Sequence, residues 1–198
     1  MTENYKAEYN LLVDRLGARG VDVNSVKSRL KAQHIETPSW GYADSGTRFG
    51  AYRQAGSAVT IEEKIADAAQ VHRFTGVAPS VAVHVLWDFP KGLQDAQALS
   101  DYAASQGVKI GAINPNVFQD REYAFGSITN EDPAVRKKAV DHMLDSIEIG
   151  KRLGSDVLSL WFADGTDYPG QADFRRRKAY AQECLKTVYE AMPPGMRM

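Results

Sequence analysis

A single cysteine, Cys184, stands in the whole chain, so no disulfide framework can form within it. It sits among Ala181, Leu185 and Val188, an apolar helical stripe, and reads as a buried structural thiol rather than a nucleophile. Charge of one sign is also lacking. The net charge is −1 with no block of like charges, which argues against a nucleic-acid footprint or a polybasic membrane anchor. Arg175-Arg176-Arg177-Lys178 is the one basic cluster, and at helical spacing it reads as a solvated helix face. No apolar run approaches 18 residues and the first residues hold no apolar leader core, so a cytoplasmic protein without a membrane partner is expected. Neither G-x-G-x-x-G nor a Walker motif follows any strand, which removes a nucleotide-binding Rossmann reading. Ligand-spaced metal motifs are missing too: there is no H-x-x-x-H, no Cys/His cluster and no D-x-D-x-D-G loop. Asp120, Asp164 and Asp167 are loop carboxylates without a histidine at ligand spacing, and no metal is assigned to them.

What the chain does contain is a repeating alternation. Tyr5, Tyr9, Leu12 and Leu16 predict a first helix over residues 3–16, and Val26 and Leu30 a second over about 24–32. Gln33 to Trp40 reads as a short extended segment. Gly41 to Gly56 holds four glycines and few aliphatics, an unusually long loop. Thr60-Ile61-Glu62-Glu63 is a capping box that opens a helix to about Phe74. His72, on the apolar face of that helix, is read as structural. A buried strand over 80–86 follows, then a helix over about 93–106 and a strand over 108–113. Asp132 and Pro133 open the next helix as N-cap and first residue. A strand over 156–161 and a helix over about 172–191 complete the series.

Such β-α alternation implies a parallel sheet with right-handed crossovers. The fold class expected is α/β: the first half of a (β/α)8 TIM barrel with N-terminal helices, ending at the start of the fifth strand in Pro193–Met198. Residues 1–32 form the helical extension and 33–198 the half-barrel. Four repeats, where the barrel has eight, predict that the chain is the N-terminal half of a longer protein.

In this architecture chemistry gathers at the carboxyl ends of the strands. Val81-Ala82-Val83-His84-Val85-Leu86-Trp87-Asp88 begins as an apolar strand and ends in residues that packing alone does not require. A carboxylate beside an imidazole fixes its tautomer and raises its basicity, so His84 with Asp88 is the candidate acid–base pair. The competing reading has each bonded to nearby main chain. Trp40, Trp87 and Trp161 are all the tryptophans present, and each falls at a predicted strand end. Their flat faces suit the C–H faces of a sugar, although core packing is the commoner fate of tryptophan.

Several segments resemble the bacterial L-rhamnose isomerases of the broad-specificity, xylose-isomerase-like branch. They are Thr37-Pro38-Ser39-Trp40-Gly41, Gly46-Thr47-Arg48-Phe49, His84-Val85-Leu86-Trp87-Asp88, Asn114-Pro115-Asn116 and Leu160-Trp161-Phe162-Ala163-Asp164-Gly165-Thr166-Asp167-Tyr168-Pro169-Gly170-Gln171. The resemblance implies an aldose–ketose isomerase acting on L-rhamnose and related hexoses. It implies His84 at the sugar's ring oxygen, Asp88 orienting it, and Trp40, Trp87 and Trp161 as aromatic walls. It further implies that Phe49 is donated to a neighbouring subunit's site in a homo-oligomer, a tetramer when intact. A divalent metal belongs to that resemblance, manganese before zinc or cobalt, with its ligands and the catalytic lysine beyond residue 198. On that basis the chain alone is expected to be silent. A sugar epimerase of the same barrel class and a non-catalytic sugar-binding half-barrel are the alternatives.

Overall fold

A computed structural model describes residues 3–47, 50–90, 92–165 and 172–198. They fall into two compact units, Met1–Ile35 and Glu36–Met198. The first is a helical pair, α1 (Glu3–Ala18) and α2 (Val23–Lys31). Asp22 caps α2 by accepting from the Asn24 and Ser25 main chain at 2.9 and 3.1 Å. Lys27 lies 4.5 Å from the centre of the Tyr9 ring and ties the two helices together.

The second unit is built on a parallel sheet. β1 (Glu36–Pro38), β4 (Ser80–His84) and β5 (Lys109–Asn114) pair in that spatial order. Parallel bridges Ile113–Leu158 and Val157–Arg197 carry the same direction onward, so five chain segments lie side by side. Helices α3 (Ile61–Thr75), α5 (Ala96–Ser105), α6 (Pro133–Leu153) and α7 (Phe174–Ala191) return the chain between them. Every residue of β4 is buried, as its continuous run of small and β-branched side chains requires of a strand covered on both faces. One core joins Ile65 and Ala68 of α3 to Val81 and Val83, Leu99 and Ala103 of α5, and Ile110 and Ile113. A second joins Met143 and Ile147 of α6 to Leu158, Cys184 and Val188. Among the described residues no helix is long and apolar enough to cross a membrane.

The predicted caps form. Thr60 and Glu63 make the reciprocal capping box, and Asp132 caps α6 with Pro133 behind it. The extent of several elements differs from expectation. β4 stops at His84, and Val85–Asp88 form one helical turn, α4, because the Asp88 carboxylate reaches back to the His84 N–H. The predicted strand over 156–161 contracts to the ladder at Val157 and Leu158, since the residues after Ser159 turn away toward the 126–129 loop. The long loop contains a hairpin, β2 (Ser45–Thr47) with β3 (Gly50–Tyr52), and α5 begins at Ala96 because Asp95 caps it there.

One glycine in the sheet makes room for a side chain from a neighbouring strand. Glu36 of β1 accepts from Ser80 Oγ and from the Ala112 N–H, both at 2.9 Å. Its carboxylate lies where a Cβ on Gly111 would stand, so the bare backbone of β5 makes room for a clamp across three strands.

Candidate functional site

At the carboxyl end of β4 the chain gathers aromatic rings around one imidazole. His84 stacks on Trp87 with centroids 3.7 Å apart and planes 15° from parallel. The β1 strand delivers Trp40 edge-on, 5.9 Å from His84 and 6.0 Å from Trp87. Phe118, from the segment after β5, stands edge-on 5.8 Å from His84 and 4.8 Å from Trp161. These rings, with Asn114, Pro115, Ser159 and Leu160, line a cavity of about 510 Å³. The three tryptophans therefore meet at one rim. Phe49 lies outside the described residues.

Beneath the rings is a buried charge pair. Asp88 Oδ1 accepts from the Lys64 ammonium of α3 at 2.6 Å. Its Oδ2 accepts from the His84 main-chain N–H at 2.7 Å and from the Ser39 hydroxyl at 2.5 Å. The carboxylate thus grips the backbone of His84 and does not bond its ring. One of its three hydrogen bonds is to main chain and two are to side chains, and none reaches the imidazole. The Nδ1 of His84 is buried and meets no hydrogen-bond partner among the described residues. Burial is the first cause that holds His84 down at about 4; Asp88 opposes the shift, while His142 and Lys64 add to it. At neutral pH the ring is an uncharged imidazole. It can take a hydrogen bond or a proton from a hydroxyl placed among flat apolar faces.

Behind Trp87 runs a polar chain that backs the aromatic wall. The indole N–H donates to Gln119 Oε1 at 2.7 Å, and that oxygen also accepts from Asn116 Nδ2. The Asn116 N–H donates to His142 Nε2 at 2.9 Å, and burial holds His142 below its ordinary value. Phe118, Lys64, Ser39, Gln119 and His142 were not among the residues anticipated. Lys64 alone left a signal, a charge three residues from Ile61 on the stripe that carries Ile65 and Ala68.

The second strand-end carboxylate has a different task. Asp164 accepts from the N–H and hydroxyl of Ser127 and of Thr129, four bonds between 2.6 and 2.9 Å. Arg177 donates to the Asp164 carbonyl and to that of Phe125. Arg177 is buried, which corrects the reading of its cluster as a wholly solvated face. Gly126 lies inside this clasp at φ +107°, where a side chain would strike Thr129, Arg177 and Asp164.

The chain is 36% identical over 196 residues to a probable sugar isomerase of Rhizobium meliloti strain 1021, a match covering 96% of this chain and 45% of that one. A probable sugar isomerase of Mesorhizobium japonicum is 34% identical over the same shares. A xylose isomerase of Yersinia enterocolitica is 25% identical over 82% of this chain and 40% of its own. The chain spans about half the length of these curated relatives. No protein-family model matches it. In three dimensions it resembles a Methylomonas D-allulose 3-epimerase at TM-score 0.54 and 18% identity, covering 80% of this chain and 47% of that one. A D-psicose 3-epimerase of Clostridium cellulolyticum H10 gives 0.53 at 14% identity, over 80% and 48%. The fold is that of half a TIM barrel. Sequence likeness joins it to proteins named as sugar isomerases, and structural likeness adds the fold alone.

Proposed function

We propose that, in a protein of the relatives' length, this chain forms one wall of the monosaccharide pocket of a cytoplasmic aldose–ketose isomerase. One observation carries the reading: a neutral imidazole stacked on Trp87 lines a cavity walled by Trp40, Phe118 and Trp161. His84 is the group that takes a hydrogen bond from the sugar and assists opening of its ring. Asp88 is a positioning residue that holds His84 through the main chain. Trp40, Trp87 and Trp161 pack on the sugar's C–H faces and keep water from it. L-Rhamnose is the first substrate to test. The sequence likeness to a xylose isomerase favours isomerisation over epimerisation.

The resemblance carries a divalent cation, manganese first, and a tetramer whose Phe49 completes a neighbouring pocket. The residues described here do not fit a cation site. No group of three His, Cys, Asp or Glu side chains comes together among them. The carboxylate oxygens of Asp88 and Asp164 are taken by the donors already named. No step is derived through a metal, and in this proposal its ligands belong to the half that the relatives have in addition.

The test is the product formed from L-rhamnose by the protein of the relatives' length. A new 2-ketose supports the reading; conversion only between ketoses epimeric at one carbon would replace it with an epimerase, and no turnover of any aldose would overturn it. His84→Asn is expected to lower kcat/KM by about 100-fold or more, the usual range for a positioned proton-transfer group, while leaving the unfolding midpoint within a few degrees. Equal loss of activity and stability would sink the assignment.

A further inference from the structure

We infer that Lys64 is a positioning residue for this pocket, holding the Asp88 carboxylate where it grips the His84 main chain and the Ser39 hydroxyl and balancing its charge beneath the imidazole. The inference rests on the sugar-pocket reading for its purpose, but its evidence is separate. Lys64 is 5% exposed on α3, a helix that otherwise meets the sheet through Ile65, Ala68 and Ala69. A lysine in that position carries desolvation that packing does not require. Its ammonium is 2.6 Å from Asp88 Oδ1, and the second oxygen of the same carboxylate joins the turn after β1, through the Ser39 hydroxyl, to β4, through the His84 N–H. Three elements converge on one carboxylate directly below the stacked rings. If the ammonium were absent, Asp88 would keep its two neutral donors but stand under His84 without a counter-charge.

Among the described residues, the charged and titratable groups facing His84 are few. They are Asp88 on α4, Lys64 on α3 and His142 on α6; Ser39 and Trp40 from the turn after β1, Asn114 from β5 and Phe118 carry no charge. Lys64 therefore cancels the one anion that faces the ring among the described residues. The imidazole stays neutral and stays seated against Trp87, the state in which it can accept from a sugar hydroxyl.

The experiment is a pH titration of the His84 C–H resonances by NMR in the full chain, with His84 identified by their loss in His84→Asn. Two readouts come from the same spectra: the protonation midpoint, and the upfield displacement that stacking on the Trp87 indole imposes. Wild type should titrate near 4. Lys64→Met should raise the midpoint by about one unit or more, because an unbalanced carboxylate favours the imidazolium. Lys64→Arg keeps the charge and should restore most of the wild-type value. An unchanged midpoint in folded Lys64→Met would overturn the inference. Should that variant fail to fold, Lys64→Met with Asp88→Leu exchanges the pair for apolar side chains and removes the unpaired charge. In that double variant the midpoint should stay low while the upfield displacement is lost; retention of the displacement would show that the pair does not seat the ring. None of these readouts needs a substrate. Failure of the isomerase reading would appear instead as absent turnover in a wild type whose Lys64 results stand.

Discussion

Two aspartates follow two tryptophans at the ends of two strands, and the molecule uses them in opposite ways. Asp88 meets a charged partner, Lys64, and turns its other oxygen to the His84 main-chain N–H and the Ser39 hydroxyl. Among the described residues Asp164 meets neutral donors at its carboxylate, from Ser127 and Thr129, and its carbonyl accepts from Arg177. The first arrangement sets a ring at the floor of a pocket. The second pins a loop on the outer wall. A carboxylate after a strand is therefore not by itself a catalytic signal; what decides its role is whether the donors come from beneath the site or from a neighbouring loop.

The largest expected effect separates the two. Asp88→Ala leaves the Lys64 ammonium buried without an anion and frees the Ser39 hydroxyl and the His84 N–H. Breaking a buried pair in this way costs about 3–5 kcal/mol, to be read from urea unfolding. Asp164→Ala strands two main-chain donors and two hydroxyls in a half-buried loop, and about 2 kcal/mol is expected. Its decisive readout is the His84 protonation midpoint, which should not move. A shift there equal to that in Asp88→Ala would erase the distinction between floor and wall.

A pH series probes the floor between these magnitudes. His84 has a folded value of about 4 against an ordinary 6.5, so the unfolded chain binds the proton more readily through that window. The contribution is fully present above 6.5 and is lost as pH falls toward 4, amounting to about 3 kcal/mol over that range. His142, also held low by burial, adds in the same direction. His84→Asn should therefore flatten the acid limb of the stability profile without removing it. An unchanged limb would show that His84 is not the group that destabilises the fold in acid.

The parts of this design that could be read from the chain were those encoded locally. The β-branched run before His84 announces a buried strand, the Thr60–Glu63 spacing announces a cap, and tryptophans at strand ends announce a rim, because each signal lies within a few residues. The partners of the two aspartates could not be read so directly. Lys64 is 24 residues from Asp88, and Ser127 is 37 from Asp164. Nothing in the local spacing of either carboxylate specifies which helix or loop will arrive beside it. Arg177 illustrates the same limit: within Arg175–Lys178 all four residues look alike, and only the docking of α7 against the 125–129 loop buries one of them. The turn at Val85–Asp88 escaped for a related reason, since an apolar run continues through it and only the reach of Asp88 back to His84 stops the strand.

The smallest expected effect compares the two tryptophans themselves. Trp87 stacks on His84 and donates its indole N–H to Gln119, so Trp87→Phe removes a hydrogen bond and part of a stacked pair. About 1 kcal/mol should follow. Trp161 is 61% exposed and touches the cluster through its edge-on contact with Phe118. A phenylalanine can keep most of that contact, and Trp161→Phe should change stability by no more than about 0.5 kcal/mol. The His84 C–H resonances sharpen the comparison: they should move downfield in Trp87→Phe, where the larger ring system over the imidazole is lost, and hold their place in Trp161→Phe. If both substitutions moved them equally, the imidazole would be sensing the rim as a whole, and the division between a floor that seats His84 and a wall that only encloses the cavity would have to be given up.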